Sequence, residues 1–402
     1  MKNFIFISPN FPENYYLFCM HLKNNGMNVL GIGDQPYDEL LPQLKESLTE
    51  YYKVDSLENY DDVYRACAYF AFKYGRIDWL ESNNEYWLMQ DASLRTDFNI
   101  PTGFHTEDMT CIKYKSAMKA NYAVAGIPTA RYHLVQAKDD CLEFIREVGY
   151  PVVVKPDNGV GASHTYKLKC ENDLDAFLSE RAAEYPDVPF IMEEYVNATV
   201  NSYDAIVNLD GEVLFETGNV TLDSIMDTVN DEGNSLCYIR KDLPEDIREA
   251  GRKTLKAFHV RGRFIHLEFF RLNEDQEGLG KKGAIVGLEV NMRPAGVFLP
   301  DMMNYAHTTD VYKIWADMVV FGHSETAQGE HKYCAFIGRR DSKDYKLTDE
   351  TARELYPENI IRVFRLPEAM AAAMGNVITI ASFTEEEDMM AFLKAMGEIN
   401  GN

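Results

Sequence analysis

Polar and apolar residues alternate along much of two segments of the carboxy-terminal half, a pattern that predicts half-buried β-strands. In residues 263–270 the alternation places His266 and Glu268 on one face of the strand and apolar residues on the other. A carboxylate in so aromatic a strand is costly unless it is paired or bound to a metal. His266 could be a metal ligand, a substrate contact or a satisfied half-buried histidine, and we favour the substrate contact.

The second alternating segment, residues 285–293, follows a polar loop whose composition is typical of a hairpin connection. It places Glu289, Asn291 and Arg293 on one face, at spacing i, i+2, i+4. Magnesium takes oxygen ligands from carboxylates and from substrate phosphates, and the planar arginine fork suits phosphate. Two adjacent antiparallel strands would present Glu268, Glu289 and Asn291 to one cation, so the sequence predicts a magnesium–phosphate site. An edge strand with a solvated polar face is the alternative.

A third pattern lies upstream, where a compact apolar strand at residues 150–156 carries Lys155 close to its end. The loop that follows is rich in small residues and contains Gly159, Gly161 and Ser163. Glycines let backbone N–H groups approach an anion without a Cβ in the way, and the lysine adds a charge for phosphate. The loop is not a Walker A sequence, because a return strand rather than a helix should follow it. Most glycine-rich hairpin turns bind nothing, which is the alternative here.

Short apolar runs separated by helical patterns predict a doubly wound α/β opening over residues 1–110. The predicted strands are residues 2–8, 28–33 and 77–82, and the predicted helices are residues 15–25 and 60–73. No G-x-G-x-x-G follows the first strand, which counts against dinucleotide binding. Glu85 and Arg95 are expected to form a surface salt bridge rather than to contact substrate. At the carboxy-terminal end we predict strands at residues 333–338, 360–366 and 377–383 and a helix at residues 385–399.

The length and composition of the chain limit the kinds of partner, fold and cellular location that we expect. The 402 residues suffice for several domains with ample cores. A formal net charge of −24 counts against a nucleic acid or an anionic membrane as partner. Seven cysteines without a C-x-x-C pair argue against a disulfide framework. The first apolar run is too short for a signal peptide, and no run approaches the roughly 18 residues of a membrane span, so we expect a cytoplasmic protein.

Four motifs, in order along residues 111–322, resemble the ATP-grasp superfamily, most closely its biotin-carboxylase-like and carboxylate–amine ligase branches. They are an opening helix and turn at residues 114–129, a strand, lysine and glycine loop at 151–163, a hinge strand at 190–196, and metal strands around Glu268 and residues 289–293. The resemblance implies a mixed α/β protein: an ATP-grasp fold, preceded by a doubly wound parallel domain and followed by a small α+β domain. The implied domains are residues 1–110, the lid-like small subdomain 111–196, the large subdomain with the metal site 197–325, and an accessory domain 326–402.

The resemblance also implies an ATP site. Its residues would be Lys115, Lys155, Gly159, Gly161, Ser163, Glu193, Glu194 and Val196. The two lysines would neutralise the phosphates, with the loop residues closing over them. Glu193 would lie beside the adenine amino group, and Glu194 and Val196 would offer backbone N–H and C=O groups to the adenine edge. The alternatives are an exposed helix cation at Lys115 and solvated strand positions at the two glutamates.

For metal and catalysis, the resemblance implies that Glu268, Glu289 and Asn291 hold one or two Mg²⁺ ions, for which Mn²⁺ is an expected substitute. Arg293 would face the transferred phosphoryl group or the acyl phosphate, and with Lys155 it is the expected catalytic pair. We expect the turn with Gly296 and the following residues 297–300 to shape the acceptor pocket, with His266 and Gly296 as candidate substrate contacts.

The chain departs from the family pattern at three positions. Ala198 and Val200 occupy the places of a glycine and a glutamate after the hinge, and His164 replaces a second glycine in the loop. Asp204 fits the usual aspartate. Some nucleotide contact, in particular to ribose, is therefore expected from elsewhere in the chain.

The resemblance implies an ADP-forming ligase that makes a C–N bond. A substrate carboxylate would attack the γ-phosphate of ATP, and an amine would capture the acyl phosphate. The expected partners are a small-molecule carboxylate, such as an amino acid or peptide, and an amine, with a homodimer as a possible assembly. The alternatives are biotin-carboxylase-like carboxylation through carboxyphosphate and a non-catalytic ATP-binding regulatory module.

Overall fold

The amino-terminal segment forms a four-stranded parallel sheet, as its short apolar runs predict. The structure is a computed structural model and describes residues 1–159, 164–222, 233–366, 368, 371 and 374–400. The sheet order is β3–β2–β1–β4. In chain order the elements are β1 (Asn3–Ile7), α1 (Tyr16–Asn24), β2 (Asn28–Gly33), α2 (Pro42–Ser47), β3 (Glu50–Lys53), α3 (Tyr60–Tyr74), β4 (Trp79–Glu81) and α4 (Leu88–Asp97).

Strand β1 is buried on both faces, which explains its unbroken apolar run. Phe4 and Phe6 pack with residues of α1 on one face, and Ile5 and Ile7 pack with residues of α3 on the other. The predicted doubly wound opening is confirmed. The sequence analysis missed β3, because its two tyrosines between charged residues form no apolar run.

A second sheet, antiparallel and four-stranded, has the order β5–β8–β6–β7. Two helices, α5 (Met109–Lys113) and α6 (Lys115–Ala125), precede it. Its elements are β5 (Tyr132–Leu134), α7 (Lys138–Val148), β6 (Val152–Pro156), β7 (Tyr166–Leu168), α8 (Glu171–Glu184) and β8 (Phe190–Glu194). Val152, Val154 and Met192 pack with residues of α7 and α8. Because side chains alternate along a strand, Lys155 and Glu193 point to the opposite face of the sheet.

The third sheet of the described chain has nine strands, in the order β14–β13–β9–β11–β12–β15–β17–β16, with β10 paired to β9. Its first elements are β9 (Ala198–Val207), β10 (Val213–Thr217), β11 (Asn219–Thr221), β12 (Ser235–Ile239), α9 (Glu245–Ala257), β13 (Arg263–Leu272) and β14 (Ile285–Asn291). One face packs on α6 and α9 through residues such as Tyr203, Leu267 and Val290. The alternation predicted from the sequence therefore leaves the polar residues of β13 and β14 on the opposite face.

The carboxy-terminal strands continue this sheet, because β15 pairs with β12. The last elements are α10 (Leu299–His307), α11 (Val311–Phe321), β15 (Tyr333–Arg339), α12 (Asp349–Leu355), β16 (Ile360–Arg365), β17 (Val377–Phe383) and α13 (Glu386–Gly397). The predicted strands and final helix of this segment are confirmed to within two residues at each end. The domain boundaries stay a prediction, since residues 333–383 share a sheet with the large subdomain. Within the described ranges, no helix combines the length and apolar character needed to cross a membrane.

A buried ion cluster joins the amino-terminal sheet to the large sheet. Glu81, at the end of β4, binds Arg95 of α4 at 2.7 Å and Arg263, the first residue of β13, at 2.8 Å. The three side chains are at most 2% exposed. Burial lowers the pKa of Arg263, and the Glu81 carboxylate opposes that shift. The expected surface salt bridge at Arg95 is therefore wrong: Arg95 lies in the core, where its charge needs this carboxylate.

Replacing Glu81 by Gln is expected to lower the free energy of unfolding by about 3–5 kcal/mol, because two buried guanidinium groups lose their shared counter-charge. Urea denaturation of the wild type and the variant measures the difference. As a control, Asp275→Asn removes an exposed pair with Lys281 and should leave the free energy nearly unchanged. Equally small effects in both variants would contradict the structural role of the cluster.

Candidate active site

The hairpin of β13 and β14 brings the predicted metal residues together. Glu268 pairs with Glu289, and His266 pairs with Asn291, in the antiparallel register. The register shifts after Glu268, so that Leu288 is an extra residue on β14. Bulges of this kind re-aim side chains and are common beside active sites. The two carboxylates and the amide thus lie on one sheet face, as the alternation predicts.

Gly287 next to the bulge shows how closely the opening helix packs on this hairpin. A Cβ at Gly287 would lie 2.7 Å from the ring of Tyr122, on α6. The Gly287 amide donates to the carbonyl of Pro128 at 2.8 Å. The absence of a side chain at this position therefore lets α6, which carries Lys115, approach the two carboxylates.

Like charges opposite each other on a sheet are unfavourable, and they are offset here by a lysine of α6 and a histidine of β13 itself. Lys115 Nζ lies 3.1 Å from Glu289 Oε1, and His266 Nε2 lies 3.2 Å from Glu268 Oε1. Burial disfavours the charge of Glu268, but His266 and, at longer range, Arg293 outweigh it and lower the pKa of the carboxyl group. The Glu268 carboxylate is therefore held in the charged form that binds a cation.

Both ring nitrogens of His266 have hydrogen-bond partners in this structure. Its Nδ1 lies 2.7 Å from Asp204 Oδ1, and its Nε2 faces Glu268. Burial disfavours the imidazolium, but the Asp204 carboxylate and then Glu268 outweigh burial and raise the pKa of His266 to about 9. This arrangement favours the third of the three options, a satisfied buried histidine, over the substrate contact, because both ring nitrogens already have partners.

The lysine of the small sheet also has a carboxylate partner. Lys155 Nζ lies 2.7 Å from Glu193 Oε2, and Lys119 Nζ lies 2.5 Å from Glu193 Oε1. The two ammonium groups thus occupy both oxygens of the Glu193 carboxylate, and its place beside an adenine amino group stays a prediction. Lys119 was not predicted. Its position four residues after Lys115, on the same face of α6, was the signal available.

The hinge residue Glu194 is tied to Arg131. Its carboxylate accepts two bonds from the Arg131 guanidinium, at 2.7 and 3.1 Å, and its backbone N–H donates to the Arg131 carbonyl at 3.1 Å. The backbone N–H of Glu194 therefore already has a partner, and the adenine contact of Glu194 and Val196 stays a prediction. Val196 is buried and packs with Leu272 and Val286.

Arg293 lies where the hairpin meets the amino-terminal domain. Its guanidinium donates to the Asn291 side chain at 3.2 Å and pairs with Glu85 at 3.3 Å. Glu85 also binds Lys113 at 2.6 Å. Glu85 is buried, so the expected surface salt bridge is wrong at this residue too: its carboxylate sits between two cations of the site wall.

The predicted phosphate loop is described only in part, because Gly161 and Ser163 lie outside the described residues. The Gly159 carbonyl accepts a bond from Lys115 Nζ at 3.3 Å. Beyond Arg293, the left-handed residue of the turn is Val297, with φ of 48°, rather than Gly296. The Val297 carbonyl accepts a bond from Asn14 of the amino-terminal domain at 2.9 Å, which holds this turn in a backbone conformation that β-branched residues rarely adopt.

The donor set fits magnesium. Glu268, Glu289 and Asn291 supply oxygen ligands only, and Mg²⁺ takes one or two carboxylates and completes its shell with phosphates and water. Among the described residues, no group of three His, Cys, Asp or Glu side chains is placed to hold a metal by itself.

The Glu193 cluster gives a pH dependence of stability. Burial opposes the charge of Glu193, but Lys155 and Lys119 outweigh it and lower its pKa from 4.5 to about 2. The carboxylate therefore stabilises the folded chain above about pH 4.5, and this contribution is lost as the pH falls toward 2. We expect Glu193→Gln to cost about 3 kcal/mol at pH 7, and the difference from wild type to shrink at pH 3. Urea unfolding at both values measures it.

The control for this prediction is Glu147→Gln in the same subdomain, where the carboxylate is 65% exposed. This variant should match the wild type at both pH values. A Glu193→Gln difference that stays constant down to pH 3 would contradict the lysine–carboxylate cluster.

Comparison with curated proteins gives distant relatives, and no protein-family model matches the chain. An L-arginine-specific L-amino acid ligase of Bacillus subtilis is 23% identical over 309 residues, which are 71% of this chain and 70% of that protein. The carbamoyl phosphate synthase large chain of Methanosarcina mazei is 22% identical over 247 residues, 59% of this chain and 21% of that protein. The chain thus spans about a fifth of the length of that second relative.

Solved structures match nearly the whole chain. The L-amino acid ligase of Bacillus licheniformis superposes with a TM-score of 0.70 at 14% identity, covering 98% of this chain and 97% of that one. The biotin carboxylase domain of the Hydrogenobacter thermophilus 2-oxoglutarate carboxylase, solved with MgADP, ADP and bicarbonate, gives 0.66 at 14% identity, with 99% and 90% covered. The resemblance predicted from the four motifs is confirmed: this chain has the ATP-grasp fold.

Proposed function

We propose that this protein is an ATP- and Mg²⁺-dependent ligase that joins a small-molecule carboxylate to an amine and releases ADP and phosphate. The observation that carries the proposal is the β13–β14 hairpin, which sets Glu268 opposite Glu289 beside Asn291. Two lysines on other elements, Lys115 and Lys155, lie near the carboxylates of this hairpin. Two of the proteins that resemble this chain over most of its length are amino acid ligases by name, which agrees with the proposal.

In the proposed reaction the substrate carboxylate attacks the γ-phosphorus of ATP, and ADP leaves. The amine then attacks the acyl carbon of the acyl phosphate and loses a proton, and inorganic phosphate leaves. Phosphoryl transfer requires little of the protein beyond positioning and charge neutralisation. Glu268, Glu289 and Asn291 would hold Mg²⁺, which offsets the negative charge of the phosphates when bound.

Cationic side chains of the protein would neutralise the remaining charge of the phosphates. Lys115 and Lys155 would bind phosphate oxygens in exchange for their carboxylate partners, and Lys119 would stay with Glu193. Arg293 is held by Asn291 and Glu85, with its fork directed to the hairpin face, where it would stabilise charge on the transferred group. The turn at Gly296 and Val297, held by Asn14, would form the wall of the acceptor pocket.

A second candidate is carboxylation through carboxyphosphate. It is favoured by the similarity to the biotin carboxylase domain solved with bicarbonate, although a likeness at 14% identity concerns the fold alone. A non-catalytic binding module is less favoured, since Glu268, Glu289, Asn291 and Arg293 form one intact group. A homodimer remains a prediction.

Product analysis separates these candidates. The protein is incubated with ATP, Mg²⁺ and pooled amino acids, with and without bicarbonate, and the products are measured by chromatography and mass spectrometry. We expect ADP and phosphate in a one-to-one ratio with a new amide. AMP with pyrophosphate would contradict the acyl-phosphate route, bicarbonate-dependent turnover without amide would favour carboxylation, and nucleotide binding without turnover would favour the module.

Replacing Glu289 by Gln tests the metal site. A neutral amide binds Mg²⁺ less well than a carboxylate, so the Mg²⁺ concentration for half-maximal thermal stabilisation by ATP should rise by roughly tenfold or more. Nucleotide binding without metal should not weaken, because Lys115 loses a competing carboxylate. Glu249→Gln, at a position 63% exposed on α9, is the matched control and should behave as wild type. An unchanged Mg²⁺ requirement in Glu289→Gln would exclude this hairpin as the metal site.

A further inference from the structure

The buried carboxylate of Asp204 lies in the large sheet, on the strand next to the β13–β14 hairpin that carries the candidate metal ligands. Asp204 lies on β9, fully buried, and pairs in register with His266 of β13. Glu268 pairs with Ser202, two residues before Asp204. Asp204, His266 and Glu268 therefore form a row across two neighbouring strands, on the face that carries the site.

The hydrogen bonds of this row converge on Asp204 from Ser202 and His266, and His266 also donates to Glu268. Ser202 Oγ accepts a bond from the backbone N–H of Asn219 at 2.8 Å, so its single proton is donated to Asp204 Oδ2. The other oxygen, Asp204 Oδ1, accepts from His266 Nδ1 at 2.7 Å, and His266 Nε2 then donates to Glu268 Oε1 at 3.2 Å. Each group thereby fixes the orientation of the next.

We propose that Asp204 is a positioning residue that acts through His266 to hold Glu268 as a metal ligand, an inference that rests on the proposed function. Both oxygens of Asp204 are taken, and its side chain is fully buried, so it does not contact the metal or a substrate itself. His266 occupies one oxygen of Glu268 and leaves the other, Oε2, for the cation. Glu268 is the accessible end of the row, with its side chain 23% exposed.

A purely structural role is the competing explanation. A buried charged pair is seldom the most stable way to fill a core, because replacing it by apolar residues of similar volume is often neutral or stabilising. Partners that orient metal ligands, by contrast, change metal affinity by about 10–100-fold when they are altered. Metal affinity, measured apart from stability, therefore distinguishes the two roles.

The experiment measures Mn²⁺ binding to the full-length protein saturated with ADP, by electron paramagnetic resonance of free Mn²⁺, together with the unfolding temperature of each variant. Asp204→Asn is expected to weaken Mn²⁺ binding about 10–100-fold, while ADP affinity without metal stays as in wild type. His266→Phe, which removes the donor to Glu268, should weaken Mn²⁺ binding by a similar factor. Adding Asp204→Asn to His266→Phe should cause no further loss, because the effect of Asp204 passes through the imidazole.

Two further variants complete the design. Asp91→Asn changes another fully buried carboxylate, on α4 of the amino-terminal domain, which accepts a hydrogen bond from Ser82 at 2.7 Å. It should lower the unfolding temperature without changing Mn²⁺ affinity. If Asp204→Asn does not fold, Ser202→Ala, which removes the donor to Asp204 Oδ2 and the acceptor of the Asn219 backbone N–H but leaves His266 in place, should weaken Mn²⁺ binding in the same direction by a smaller factor.

The outcomes are distinct. If the Asp204 and Ser202 variants behave like Asp91→Asn, losing stability but not Mn²⁺ affinity, the positioning role is overturned while the proposed function stands. Losses that multiply in the double variant would also overturn it, because Asp204 would then act independently of His266. If the wild type itself shows no ADP-dependent Mn²⁺ binding, the metal site of the proposed function fails, and the inference fails with it.

Discussion

The antiparallel register that sets Glu268 opposite Glu289 is the constraint on which the arrangement of the site depends. Two carboxylates at neighbouring positions on one sheet face repel each other, so the folded chain must bring positive charge to them. It does so from separate elements: Lys115 comes from α6 and His266 from β13 itself. The close approach of α6, allowed by the absence of a side chain at Gly287, is thus part of the electrostatics of the site as well as of its packing.

Carboxylates paired with cations also occur in the amino-terminal domain. Its buried Glu81 lies between Arg95 and Arg263, and Arg263 begins the strand that carries His266 and Glu268. Its Glu85 lies between Lys113 and Arg293. In both clusters one carboxylate of the domain is shared by two cations. Arg95 belongs to the domain itself, Lys113 to the linking helix α5, and Arg263 and Arg293 to the segment of the large sheet. The domain therefore contacts the candidate site through a charged residue, Glu85, which pairs with Arg293.

The sequence predicted the parts of this arrangement that depend on local periodicity. Alternation along a strand has a period of two, which is why Glu268, Glu289 and Asn291 could be placed on one face. It could not provide the partners, because Asp204 meets His266, and Glu193 meets Lys119, across separations of 62 and 74 residues that no local pattern encodes. For the same reason the apolar runs identified the carboxy-terminal strands, whereas their junction to the large sheet through β12 and β15 depended on pairing between distant segments.

The two carboxylates of the hairpin are held in different ways, and the difference bears on how a chain of net charge −24 can accept a polyanion. Glu268 is held by His266, whose other nitrogen is bound to a buried aspartate, so this pair need not separate when a ligand arrives. Glu289 is held by Lys115, a single ammonium group on a long side chain.

In the proposed function, phosphate would bind Lys115 and magnesium would bind Glu289 at the same time. One ion pair is then replaced by two, and no unpaired charge is left in the site. Lys155 and Glu193 can undergo the same exchange, because Lys119 remains with the carboxylate after Lys155 turns to phosphate. In the proposed function, the carboxylates that pair with Lys115 and Lys155 would thus keep these cations in place without excluding the phosphates.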